Sequence, residues 1–125
     1  MPPISATLRL QPQLDAPRQA RNHLENTCRH LAPTVRSDAS LILSEIVTNA
    51  VIHARTMITI AIECDNNSVA VAVTDNSTQA PQLRHHDDLF EGGYGLHLID
   101  QLAAAWGYDA SSDGEGKVVW FRIGR

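Results

Sequence analysis

The sequence predicts an α+β fold, a two-layer sandwich in which helices pack on a mostly antiparallel sheet. Its periodic segments follow the order β-α-α-β-β-loop-α-β-β. Two of the strands are joined by the short turn Asp65-Asn66-Asn67, which favours an antiparallel hairpin. This order is neither that of a Rossmann fold nor that of a P-loop fold. The 125 residues, 43% of them hydrophobic and 19% charged, are expected to form a single domain over residues 1–125.

The first half of the chain predicts one strand and two helices. Residues 4–10 alternate apolar and polar side chains, as a half-buried strand does. A helix is expected over residues 15–31, with Asp15 as its N-cap. Pro33 is expected to break this helix. A second helix is then expected over residues 37–54, capped by its first or second residue.

The second half of the chain predicts four strands and one helix. The helix is expected over residues 94–105, and the strands at residues 57–63, 68–75, 106–110 and 117–123. The polar segment 76–93 is long for a structureless connection in a small domain. We therefore expect it to be functional or mobile.

Composition disfavours several classes of protein. The formal net charge of −4 argues against nucleic acid as a direct partner, because phosphate binding usually leaves a basic footprint. No stretch approaches the roughly 18 apolar residues of a membrane span. Residues 1–10 lack the basic and apolar regions of a signal peptide. We therefore expect a cytoplasmic protein without membrane contact, in which Cys28 and Cys64 are reduced structural thiols.

Three polar residues, Glu45, Asn49 and His53, interrupt the apolar second helix. Their i, i+4, i+8 spacing places them on one side of an α-helix. Eight of the twelve residues over 41–52 are aliphatic, so the helix should be largely buried, and polar groups there are costly unless something satisfies them. The carboxylate could accept a proton from a hydroxyl, and the amide oxygen suits Mg²⁺. A stripe that simply faces solvent is the alternative interpretation.

Two further motifs lie where predicted strands or loops end. Asp75 closes an apolar strand and could aim its carboxylate at a ligand amine, or it could only cap the turn. The glycine-rich segment 91–95 leads directly into a helix. Its backbone N–H groups could approach phosphate oxygens, or the segment could be no more than a flexible loop end.

The order of these three motifs resembles the Bergerat-type ATP-binding fold shared by DNA gyrase and histidine kinases. Within that superfamily the chain is most similar to the bacterial anti-sigma-factor serine/threonine kinase family. The N-box of that family is similar to LILSEIVTNAVIHA at residues 41–54. Its two glycine boxes are similar to VAVTDNS at 71–77 and GGYGLHLID at 92–100, and its usual ending is similar to residues 106–123. Because the resemblance spans residues 8–123, we expect no phosphoacceptor or sensor domain and hence no intact histidine kinase.

The resemblance implies ATP and Mg²⁺ as cofactors. Asn49 would coordinate the Mg²⁺ bound to the ATP phosphates, and Glu45 would act as general base toward a partner's serine or threonine hydroxyl. Asp75 would accept a hydrogen bond from the adenine amino group. Gly93 and Gly95 would frame the phosphate end of the nucleotide.

Two residues have open interpretations within the same resemblance. Residues 76–92 would form the ATP lid, in which Arg84 is the candidate for a γ-phosphate contact, with a solvated loop as the alternative. His53 would contact phosphate or pack structurally at the helix end. The chain also departs from the family where Ser77 and Gln79 replace glycines and where Val118 replaces a hydroxyl residue near adenine, which puts nucleotide affinity and kinase turnover in question.

The function implied by the resemblance is that of an anti-sigma factor and protein serine/threonine kinase. Such a protein would sequester a sigma factor and phosphorylate an anti-sigma-factor antagonist. A homodimer is expected, with the N-terminal strand and the first helix as the contact region. Two alternatives remain: a partner-switching module of the same fold that transfers little or no phosphate, and a detached catalytic domain that acts on a histidine of another protein.

Overall fold

The computed structural model describes residues 4–77, 95–110 and 116–124. In these residues five strands form one sheet in the order β1-β2-β3-β5-β4, and every neighbouring pair is antiparallel. The elements are β1 (Ile4–Leu10), α1 (Ala16–Thr27), α2 (Pro33–Asn49), β2 (Ile58–Cys64), β3 (Ser68–Asp75), α3 (Gly95–Leu102), β4 (Ala105–Ala110) and β5 (Lys117–Gly124). The predicted α+β sandwich and its element order are confirmed.

One face of the sheet is covered by helices and forms the core. Helix α1 packs on β1 and β2, α2 packs on β3 and β5, and α3 packs on α2. The alternation of β2 sends Ile58, Ile60 and Ile62 into this core and leaves the residues between them on the opposite face. Each such side chain stabilises the fold by about 1.5–3 kcal/mol. A one-residue slip would move the whole set out of the core, so burial fixes the register.

Helix α2 begins earlier than predicted. Pro33 is in its first turn rather than at a break before it, and the N-cap is Ala32. A proline is tolerated there because the first N–H groups of a helix have no intrahelical partner. Helix α1 starts as expected after Asp15, although that side chain accepts a bond from Gln19 Nε2 at 2.7 Å instead of capping the backbone.

The helical segment after α2 is a short π-helical turn, Ala50–Ala54. It ends at Arg55, whose left-handed φ of 56° stops the helix and whose N–H donates to the Ala50 carbonyl at 3.0 Å. Single π turns inside or at the end of α-helices are frequent at functional sites. This one changes the direction in which side chains leave the helix after Asn49.

Cys28 and Cys64 are both free and buried, as expected for structural thiols. The structure also brings them together, although they are far apart in sequence. Burial, and then the hydrogen bond between the Cys28 and Cys64 thiols, raise the pKa of Cys28 to about 12. Such a thiol stays protonated and unreactive at neutral pH. In the described residues, no helix is long and apolar enough to cross a membrane.

Candidate functional site

The best-defined polar cluster lies where β3 ends and β5 begins. The antiparallel register pairs Asp75 with Lys117. Lys117 Nζ lies 3.1 Å from Oδ1 and 3.0 Å from Oδ2 of Asp75. The Ser77 N–H also donates to Oδ1 at 2.8 Å. Asp75 is only 4% exposed, so this carboxylate is held in one orientation by a cation and a backbone donor.

Gly116 allows the start of β5 to approach the backbone of Asp75. A Cβ built on Gly116 would lie 2.2 Å from the Asp75 carbonyl oxygen. No side chain fits at that distance, so only glycine permits the close contact between the two backbones. Lys117, the next residue, is placed beside Asp75 as a result.

A second contact ties this cluster to the helical segment that precedes β2. Thr56 Oγ1 accepts a hydrogen bond from the Asn76 N–H at 2.9 Å. Thr56 follows directly after Arg55, which ends the π turn. The turn after Asp75 is therefore fixed against the end of the helix that carries Asn49.

The predicted polar stripe on α2 is only partly maintained. Glu45 and Asn49 lie one turn apart on the α-helix and both are half-buried, whereas His53 lies in the π turn and is exposed. The expected burial of the stripe therefore ends at Asn49, and a phosphate or packing role of His53 stays a prediction.

Burial raises the pKa of the Glu45 carboxyl above its ordinary value, because a low-dielectric surrounding disfavours the charged form. The neighbouring Ser44 Oγ accepts a hydrogen bond from Arg21 Nη1 at 3.1 Å and donates one to the Ser40 carbonyl at 2.9 Å. These bonds hold the middle of α2 against α1. Glu45 thus lies on a rigid helix and is more basic than a solvated carboxylate, as a proton acceptor requires.

The phosphate end of the predicted site is described only in part. Gly93 and Arg84 lie outside the described residues, as does Gln79. Gly95 is the first residue of α3, which packs against α2. Helices α2 and α3 are therefore neighbours, and the position of Gly95 near Asn49 stays a prediction.

The structure corrects one prediction about the adenine end. Val118 pairs with Thr74, so its side chain points to the sheet face opposite Asp75. Residue 117, not 118, faces the carboxylate. Lys117 is the member of this polar cluster that the sequence did not predict, because its partner lies 42 residues earlier in the chain and only the strand register joins them.

The described residues contain no group of three or more histidine, cysteine, aspartate or glutamate side chains that could hold a metal ion. Asn49 nevertheless fits the needs of Mg²⁺ in a nucleotide complex. That ion commonly takes one or two protein oxygens and completes its octahedron with phosphate oxygens and water. The half-buried amide of Asn49 offers one such oxygen.

Comparison with known proteins gives a consistent picture. Residues 10–123 match the family model described as the histidine kinase-like ATPase domain. No curated protein is significantly similar to the chain in sequence. Among solved structures, the chain is similar to the RsbU and RsbW domains of Rv1364c from Mycobacterium tuberculosis, with a TM-score of 0.71 and 18% identity. The match covers 98% of this chain but 32% of that one, so this chain spans about a third of its length and the likeness concerns the fold alone.

Proposed function

Because the chain belongs to the histidine kinase-like ATPase domain family, we propose that it is an ATP-binding anti-sigma regulatory factor with protein serine/threonine kinase activity. It would sequester a sigma factor and phosphorylate an anti-sigma-factor antagonist. The motifs at residues 41–54, 71–77 and 92–100 support this branch of the family. So does the similarity of the fold to a solved chain that contains an RsbW domain.

The buried, oriented carboxylate of Asp75 is the observation that most strongly supports ATP binding. Its Oδ1 accepts the Ser77 N–H, and both oxygens contact Lys117. A carboxylate oxygen has two lone pairs, so Oδ2 can still accept a hydrogen bond from the amino group of adenine. A fixed acceptor of this kind favours a base that offers an amino group over one that offers a carbonyl.

The proposed chemistry depends mainly on positioning. Bound MgATP supplies the phosphoryl group, and its metal neutralises the charge that develops during transfer. Asn49 would hold Mg²⁺ through its amide oxygen. Glu45 would accept the proton of the attacking serine or threonine hydroxyl, and its raised pKa suits that role. Four further residues would belong to the nucleotide site: Gly93 and Gly95 at the phosphates, and His53 and Arg84 as phosphate contacts.

The proposed protein is a single domain over residues 1–125 that forms a homodimer and contacts neither nucleic acid nor membrane directly. Its formal net charge of −4 supports protein partners over nucleic acid. Because the proposed partners, a sigma factor and its antagonist, act on transcription in bacteria, the chain would work in the cytoplasm.

One observation favours a second candidate, a partner-switching module that binds ATP weakly and transfers no phosphate. Lys117 Nζ lies within 3.1 Å of both oxygens of Asp75 and so competes with an adenine amino group. Ser77, in place of a glycine, stiffens the adjacent turn. Partner binding that is tight and indifferent to MgATP would support this candidate.

A phosphoryl-transfer assay tests the proposed kinase. The acceptor would be the antagonist protein recovered from the native cell by its affinity for this chain, with radiolabelled ATP as donor. Glu45→Gln is expected to lower the transfer rate by at least about 100-fold, the range for loss of a general base. Asn49→Ala should also lower the transfer rate, and the remaining rate should no longer depend on the Mg²⁺ concentration. Glu25→Gln, on the exposed side of α1, is the matched control; equal labelling by all three variants would refute the assigned roles.

A further inference from the structure

Lys117 carries more hydrogen-bond donors than Asp75 can use. A lysine ammonium has three N–H donors and no acceptor. Asp75 takes at most two of them, one at each carboxylate oxygen, because Nζ lies 3.1 Å from Oδ1 and 3.0 Å from Oδ2. In the part of the chain that the structure describes, no other acceptor contacts Nζ. One N–H of Lys117 is therefore left for a ligand.

Asp75 has a matching acceptor beside this donor. The Ser77 N–H donates to Oδ1 at 2.8 Å, whereas Oδ2 contacts only Lys117 among the described residues. A carboxylate oxygen has two lone pairs, so one lone pair of Oδ2 is also left for a ligand. The remaining acceptor and the remaining donor lie on atoms 3.0 Å apart. Together they are complementary to a ligand that carries a donor next to an acceptor.

The backbone holds the two groups in a fixed relation. Asp75 and Lys117 are paired directly across β3 and β5, so their side chains leave the sheet on the same face. The Asn76 N–H donates to Thr56 Oγ1 at 2.9 Å, which fixes the turn that follows Asp75. The side chains of Asp75 and Lys117 are only 5% and 15% exposed. Two groups that are ordered before the ligand arrives lose little conformational freedom when it binds.

We propose that Lys117 is a specificity-determining residue for the base of the nucleotide and donates a hydrogen bond to a ring nitrogen of adenine. Adenine offers an amino group with an acceptor nitrogen on either side of it, N1 and N7. Oδ2 of Asp75 would accept from the amino group while Nζ of Lys117 donates to one of these nitrogens. This inference rests on the proposed function, because it requires adenine beside Asp75.

A lysine that only neutralises Asp75 is the alternative. That role needs the two contacts with the carboxylate and leaves the third N–H to water. The exposure of Lys117, 15% against 5% for Asp75, favours the proposed role, because the ammonium borders the space from which a ligand would approach the carboxylate. Val118 points to the opposite face of the sheet and does not take part. Two contacts instead of one would also fix the orientation of the base within its own plane.

The contact with the ring nitrogen should change the affinity by at least about tenfold, because hydrogen bonds from charged donors are stronger than those between neutral groups. A deaza analogue of ATP replaces a ring nitrogen by C–H. It leaves the ammonium N–H facing carbon in a place from which the base excludes water. Sites that bind a polar group of the ligand in this way reject analogues that lack it.

Calorimetry with four nucleotides and the full chain tests the proposal. The nucleotides are ATP, 1-deaza-ATP, 7-deaza-ATP and purine riboside triphosphate, each with Mg²⁺; the last lacks the amino group and probes Asp75. For the natural sequence, one of the two deaza analogues should bind at least about tenfold more weakly than ATP. For Lys117→Met, the same analogue and ATP should bind equally. Arg122→Met removes a cation from the opposite face of the same strand and is the matched control, which should discriminate as the natural sequence does.

The outcomes separate this inference from the proposed function. Weakening by 1-deaza-ATP assigns N1 as the acceptor, and weakening by 7-deaza-ATP assigns N7. Equal affinity for ATP and both deaza analogues overturns the role of Lys117, whereas ATP binding itself would still support the proposed function. Discrimination that persists in Lys117→Met also overturns the role of Lys117. Circular dichroism checks that this variant folds, and the nucleotide series on the natural sequence decides the question even if it does not. The absence of ATP binding by the natural sequence would remove both the inference and the proposed function.

Discussion

Replacing Lys117 with methionine is expected to destabilise the protein by about 3 kcal/mol. The reason is that Lys117 neutralises a carboxylate that the fold has almost removed from water. Asp75 is 4% exposed, and the Lys117 side chain is 15% exposed. Methionine keeps the length and apolar stem of lysine but carries no charge. The variant therefore leaves Asp75 buried without its cation.

The magnitude follows from the burial of the pair. An exposed ion pair contributes about 0–1 kcal/mol, whereas removing one partner of a buried pair costs about 3–5 kcal/mol. The distances of 3.0 and 3.1 Å place Lys117 in direct contact with both oxygens of Asp75. The Ser77 N–H still donates to Oδ1, and the partly exposed position of Lys117 lets water approach. We therefore expect Lys117→Met to lower the free energy of unfolding by about 3 kcal/mol, the lower end of the range for buried pairs.

Urea unfolding of Lys117→Met, Asp75→Asn and the double variant measures this cost as a double-mutant cycle. The double variant no longer buries an unpaired charge, so it should be less destabilised than the sum of the single variants by at least about 1 kcal/mol. A cost below about 1 kcal/mol for Lys117→Met, or strictly additive effects, would refute the buried-pair reasoning.

Three further predictions concern Glu45 on α2, Gly116 before β5 and Asp65 in the turn between β2 and β3. The pKa of Glu45 is raised in the folded state, so the contribution of Glu45 to stability is present at low pH and is lost as the pH rises through the folded-state pKa. At neutral pH, Glu45→Gln should therefore unfold at a higher urea concentration than the natural sequence, whereas in acid the two midpoints should agree. Gly116→Ala forces the backbone away from the Asp75 carbonyl and should cost about 1–3 kcal/mol in the same urea assay, and an unchanged midpoint would contradict the close contact. The N–H groups of Asn67 and Ser68 lower the pKa of Asp65, so its contribution is present at neutral pH and is lost as the pH falls through the folded-state pKa. Asp65→Asn should therefore lower the unfolding midpoint at neutral pH, with a difference that shrinks in acid; a difference that is constant with pH would contradict this cause.

Local sequence patterns were sufficient to predict most of the fold. The alternation over residues 57–63 and 68–75 and the turn between them predicted β2 and β3 to within a residue at each end. This prediction succeeded because one face of each strand is buried and the other is not, so apolar and polar residues alternate along the sequence. The start of α2 was harder, since Pro33 can either break a helix or begin one.

The site could be predicted only in part because it depends on contacts between distant residues. Asp75 was identified from its place at the end of an apolar strand. Its pairing with Lys117 required the register between β3 and β5, which no local pattern contains. The same register moved Val118 to the opposite face. The π turn over Ala50–Ala54 was not predicted, because the apolar pattern of the second helix continues through it without a break.

A titration of the natural sequence with ATP, in the presence and absence of Mg²⁺, tests whether this chain binds a nucleotide. We expect calorimetry to show micromolar ATP binding that weakens when Mg²⁺ is removed. We also expect Asn49→Ala to bind ATP with an affinity that no longer depends on Mg²⁺. The absence of any binding heat for the natural sequence up to millimolar MgATP would contradict the claim that Asp75, Asn49 and Glu45 serve a nucleotide.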